Sequence, residues 1–118
     1  MMTREDFRKE VCKAANTGMD KEILNFHSYL DVRKYKGVTE WYMLVDQNAG
    51  LYIEITSVAF AYLKQLYDHE PTTAVVDIKN GCYLKIVSHD RKDGKAISTI
   101  SVIHKDCGVL LEREISRR

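Results

Sequence analysis

Proline is nearly absent from this 118-residue chain, with Pro71 standing alone, and glycine occurs only six times. No proline- or glycine-rich linker marks a boundary between two domains. Cysteine is scarce as well. The three thiols, Cys12, Cys82 and Cys107, are odd in number, and Met1 to Glu10 carry charges where a secretory signal would need an apolar stretch. Free thiols, no disulfide framework and a cytoplasmic location are the expectations. No run approaches the roughly 18 apolar residues of a membrane-spanning helix. Charge of one sign is also missing, because 18 Lys and Arg stand against 17 Asp and Glu for a net of +1. This balance excludes a strongly basic nucleic-acid footprint and the acidic excess of a DNA mimic.

What is present is apolar surface, at 45% hydrophobic residues beside 30% charged ones. Such a composition supports one core, and the chain reads as a single domain over residues 1–118. Thr3-Arg-Glu-Asp6 has the spelling of a capping box, followed by Phe7, Val11, Ala14 and Ala15 at helical spacing, with Gly18 suited to end the helix. Asp20 caps a second predicted helix running to about Tyr35, with Ile23, Phe26, His27 and Leu30 on one face and Gly37 as its breaker.

The period changes at Thr39. Residues 40–46 and 51–56 are rich in β-formers and flank Gln47-Asn-Ala-Gly50, which predicts a hairpin. Ser57 caps a third predicted helix, Val58 to Glu70, stopped by Pro71. Apolar residues surround much of it, which implies deep burial. The remainder predicts an antiparallel meander with turns at Asn80-Gly81, Lys92-Asp93-Gly94 and Asp106-Cys107-Gly108. The expected fold is α+β: two N-terminal helices, a β-hairpin, a third helix and a C-terminal antiparallel β-meander.

Taking Asn80-Gly81 as a two-residue turn sets Lys79 opposite Cys82, and the register then propagates through the meander. Val76, Ile78, Tyr83, Val87, Ile100, Val102 and Leu110 fall on one face. Val75, Leu84, Ile86, Ile97, Ile103, Val109, Leu111 and Ile115 fall on the other. Two apolar faces require two covers, either helices on both sides or helices on one and a protein partner on the other. Tyr83, Val87, Ile100, Val102 and Leu110 are the candidate partner-binding residues.

Chemistry-bearing residues are dispersed. Asp46 and Glu54 sit on the two strands of the expected hairpin, just before a helix. With Glu54-Ile-Thr56, the segment Tyr42 to Tyr67 resembles the acidic-x-Lys strand of the PD-(D/E)xK nucleases, whose carboxylates bind Mg²⁺. Thr56 stands where that family has lysine, which removes the cation that would stabilise a pentacovalent phosphate. An even turn places Asp46 and Glu54 on opposite faces, whereas a bulged loop at Gly50 would bring them together. Val75-Val76-Asp77-Ile-Lys79 repeats the acidic-x-Lys spelling without a following helix.

His104-x-x-Cys107 has zinc-ligand spacing, with Cys82 and His89 as conceivable partners. The expected register points Cys82 and His104 to opposite faces, so no metal site is assigned. His27 reads as a core histidine and His69 as a cation at a helix C-terminus. Basic residues gather at Arg33, Lys34 and Lys36 and again at Arg91, Lys92 and Lys95, near Tyr35 and Trp41, a pattern able to stack on and hold nucleic acid. Asp90, Asp93, Glu112 and Glu114 offset those charges.

The favoured expectation is a non-enzymatic protein-interaction module, an accessory or inhibitory protein acting as a homodimer, with no cofactor. The alternative is a nucleic-acid-binding protein or a degenerate Mg²⁺-dependent nuclease using Asp46 and Glu54. Another protein or a second copy of the chain is the expected partner; a membrane is not.

Overall fold

Thr3 and Asp6 cap one another at the start of the chain: the Asp6 amide donates to Thr3 Oγ1 at 3.1 Å and the Thr3 amide to the Asp6 carboxylate at 3.4 Å. They launch helix α1, Arg4–Glu10, which buries Phe7. The computed structural model describes residues 2–14, 19–20, 23–25, 30–34, 40–90 and 96–117. Among these are two helices and nine strands, the strands forming two antiparallel sheets, and the expected architecture of three helices, a hairpin and a meander is overturned.

The N-terminal third carries the largest corrections. Helix α1 stops at Glu10, and the chain then forms strand β1, Lys13–Ala14, which pairs with residues 51 and 52. Where a second helix was expected lie β2, Leu24–Asn25, and β3, Asp31–Lys34. Ile23 and Leu30 do share a helical spacing. However, Val32 is fully buried opposite Met43, and cross-strand burial outweighs a local period that either conformation can satisfy.

Strands β4, Trp41–Asp46, and β5, Leu51–Ile55, occupy the segment expected to be a hairpin, with a bulge between Leu44 and Asp46. The first sheet runs β1-β5-β4-β3-β2. Helix α2, Ser57–Tyr67, follows, and Thr56 rather than Ser57 is its cap, its hydroxyl accepting from the Ala59 amide at 3.1 Å. Ala59, Leu63 and Leu66 are buried, but Val58 and Tyr67 are exposed, so α2 lies on the core rather than inside it.

The second sheet is β6, Ala74–Asp77; β7, Cys82–Asp90; β8, Ala96–His104; and β9, Gly108–Arg117, in that order. Asn80 and Gly81 both have positive φ, and the Cys82 amide closes the turn on the Lys79 carbonyl. The register differs from expectation by one residue. The Ile78 amide, not that of Lys79, reaches the Cys82 carbonyl, and Asp77 pairs with Tyr83.

A slip of one residue exchanges the faces of a strand. Val76 therefore joins Leu84 and Ile86 on the inner face, and a second one-residue shift, between β7 and β8, sets Ile100 and Val102 there as well. A bulge between Val102 and Ile103 turns both Leu110 and Leu111 inward. This inner face shares a continuous core with Met43, Val45, Ile53 and Ile55 of the first sheet, with α2, and with Phe7 of α1. The outer face is mixed, so the expected pair of apolar faces is replaced by one apolar face and one of mixed polarity. No described helix is long and apolar enough to cross a membrane.

Candidate functional site

The two carboxylates that resemble a nuclease pair are separated by the fold. Glu54 pairs with Tyr42 and Asp46 with Leu51, which places them on opposite faces of the first sheet despite the bulge and the left-handed Gly50. Along β4 their positions are about 13 Å apart at the rise of an extended chain.

Asp46 lies in a cleft of about 410 Å³ shared with Arg4, Arg8 and Arg113. Its Oδ1 accepts from the Ala49 amide at 3.1 Å, and its Oδ2 is 3.7 Å from the Arg8 guanidinium. Arg8 in turn donates to the Leu110 carbonyl at 2.7 Å, tying α1 to β9, while its buried Nε has no partner among the described residues. Glu54 lines a different cleft of about 730 Å³ with Lys34, Trp41 and Thr56. The Trp41 ring is engaged there: Phe60 stacks on it at 3.8 Å and 18°, and the Lys34 ammonium lies 5.3 Å from the indole. Thr56, the residue at the lysine position, is committed to capping α2.

Of the six basic residues expected at a nucleic-acid surface, Lys36, Arg91, Lys92 and Lys95 lie outside the described residues. Arg33 is engaged within the fold. Its guanidinium forms a bidentate pair with Asp31 at 2.9 and 3.0 Å and sits over the Tyr52 ring, whose hydroxyl donates to Asp31 at 3.0 Å. Burial, then the Asp31 charge and hydrogen bond, push the Tyr52 hydroxyl up to about 12.

Cys82 and His104 are directly paired and share the inner face, contrary to the expected register. His104 nevertheless serves the turn that follows it. Its Nδ1 accepts from the Asp106 and Cys107 amides at 3.1 and 3.0 Å, and its ring lies against Phe7. Among the described residues no group of three or more His, Cys, Asp and Glu is placed to hold a metal ion. Burial raises Cys12 to about 11 and Cys82 to about 12, the latter reinforced by Cys12 and Cys107. Such thiols stay protonated at neutral pH and are poor nucleophiles.

The five candidate partner-binding residues are divided. Ile100, Val102 and Leu110 are at most 2% exposed and belong to the core. Tyr83 and Val87 lie on the outer face of the second sheet, half-buried. There the register builds three rows across the strands. Tyr83, Ile103 and Val109 form the first; Lys85, Ser101 and Glu112 the second; Val87, Thr99 and Glu114 the third. A shallow groove of about 350 Å³ runs among them.

Val109 is 38% exposed, and Val75, beside Lys85 on β6, is 67% exposed. The sequence pattern places Ile103 and Val109 on the face opposite Tyr83. The one-residue shift in the β7–β8 register brings them beside it, and no local sequence signal marks that shift. Comparison with protein-family models, with curated proteins and with solved structures gave no match.

Proposed function

We propose that the protein is a non-enzymatic interaction module that binds another protein surface through the outer face of the β6–β9 sheet. The observation that carries this reading is the row Tyr83–Ile103–Val109, contiguous across three strands and partly open to solvent, flanked by the charged and hydroxylic row Lys85–Ser101–Glu112. An aromatic and two aliphatic side chains beside a polar border are the usual make-up of a protein-binding patch. Antiparallel sheets tolerate one solvated face, but that face ordinarily alternates to polar residues where this row does not. Catalysis receives no comparable support, because Asp46 and Glu54 occupy separate clefts and the buried thiols are protonated.

Photo-cross-linking in cells tests the reading. A photoreactive phenylalanine analogue replacing Tyr83 should capture a protein, whether a second copy or another chain, whereas the same analogue at exposed Lys64 on α2 should not. Equal labelling from both positions, or none from residue 83, would remove the outer face as a binding surface.

A further inference from the structure

We infer that the outer face of the β6–β9 sheet pairs with its counterpart on a second copy of this chain, about a two-fold axis running along β8 that sets Lys85 of each subunit against Glu112 of the other. The inference rests on the binding role proposed for this face and names its occupant. Its basis is the order of charges across the sheet. Lys85 and Glu112 are exposed, carry opposite charge, and flank Ser101 symmetrically on the two neighbouring strands.

Rotation by 180° about an axis along β8, in the plane between two facing sheets, lays β7 of one copy over β9 of the other. The row Lys85–Ser101–Glu112 then meets itself reversed, cation over anion at both ends and hydroxyl over hydroxyl in the middle. Under the same rotation the row Tyr83–Ile103–Val109 places Tyr83 on Val109 and Ile103 on Ile103, so apolar groups meet apolar groups. Packed sheets stand roughly 10 Å apart, a gap that a lysine and a glutamate reaching toward each other can close. An axis across the strands at Ser101 would instead set Lys85 on Lys85 and Glu112 on Glu112, which like-charge repulsion disfavours.

Area limits the strength of this dimer. Three strands spaced about 4.8 Å apart, over seven or so residues each, present on the order of 300 Å² of sheet. A standard stable interface buries about 800 Å² per partner, so the association belongs to the weak, micromolar-or-looser class. Like other isologous contacts it uses every residue twice, and a charge reversal therefore damages both ends at once.

Sedimentation of the purified protein over about 1 μM to 1 mM, a range spanning weak association, supplies the test. The parent chain should pass from monomer to dimer. Lys85→Glu and Glu112→Lys should each weaken dimerisation at least about tenfold, because each creates two like-charge contacts. An equimolar mixture of the two variants should recover association to within about threefold of the parent, since every intersubunit contact is again attractive while each chain keeps its own altered charges. Circular dichroism melts of the separate variants should match the parent, which excludes unfolding as the cause.

A parent that stays monomeric throughout, or a mixture that stays as weak as its components, would overturn the inference. If residue 83 then still cross-links to a different protein in cells, the binding role of the face survives without the homodimer. If it captures nothing, both fall.

Discussion

Lys85 and Glu112 face the same residue, Ser101, from the two sides of strand β8. Opposite charges so placed make the row Lys85–Ser101–Glu112 its own electrostatic complement, and exposed ion pairs are sensitive to salt. Raising NaCl from about 0.05 to about 1 M shortens the screening length from over 10 Å to about 3 Å. Dimerisation should weaken several-fold across that range in the parent and strengthen in Lys85→Glu, whose contacts are repulsive. Sedimentation at both salt concentrations measures the difference.

A second prediction concerns Asp31, which at 7% exposure accepts from both Arg33 and Tyr52. Tyr52→Phe removes one hydrogen bond and should cost about 1 kcal/mol, whereas Asp31→Ala leaves both partners without their acceptor and should cost about 2–3 kcal/mol. The two losses should sum to more than the double variant loses, because the residues act as one network. Urea unfolding of the four chains completes the cycle.

Alkaline pH should unfold the protein earlier than its charge balance implies. Burial raises Cys12 from 9.0 to about 11, Cys82 from 9.0 to about 12, and Tyr52 from 10.0 to about 12. Each folded-state value lies above the unfolded one, so the contribution is complete below pH 9 and is lost as pH rises through 9 to 12. The melting temperature should fall steadily over that window. Cys12→Ala should lessen the slope at its lower end.

Thiol reactivity should separate the three cysteines. Cys12 and Cys82 are buried, whereas Cys107 is half-exposed, its Sγ 3.2 Å from the Met2 carbonyl. A disulfide reagent at neutral pH should modify one thiol quickly, identified by mass spectrometry as Cys107, and the other two only at the rate of global or local unfolding.

The legible parts of the sequence were those in which one local signal acts alone. The Thr3 and Asp6 spacing encodes a cap that forms, and Asn80-Gly81 encodes a turn with two positive φ values, where Gly81 also lies against His104. Residues 24–25 and 31–34 form strands although Ile23 and Leu30 satisfy a helical period, because Val32 is buried opposite Met43, a cross-strand contact that local spacing does not encode. The candidate site failed for a similar reason. The turn at Asn80-Gly81 holds one residue more than expected and exchanges the faces of β6 relative to β7, β7 and β8 pair one residue off the expected register, and the bulge adds Leu110 to β9. The β7–β8 shift sends Ile100 and Val102 into the core with Leu84 and Ile86 and brings Ile103, with Val109, beside Tyr83, while the bulge turns Leu110 inward.

A concentration series of amide correlation spectra on the purified, assigned protein tests self-association at the level of single residues. Self-association through the outer face should shift resonances of Tyr83, Lys85, Val87, Thr99, Ser101, Ile103, Val109 and Glu112 together as concentration rises, with α2 unmoved. Shifts centred on α2 or the first sheet, or spectra that do not change with concentration, would contradict it.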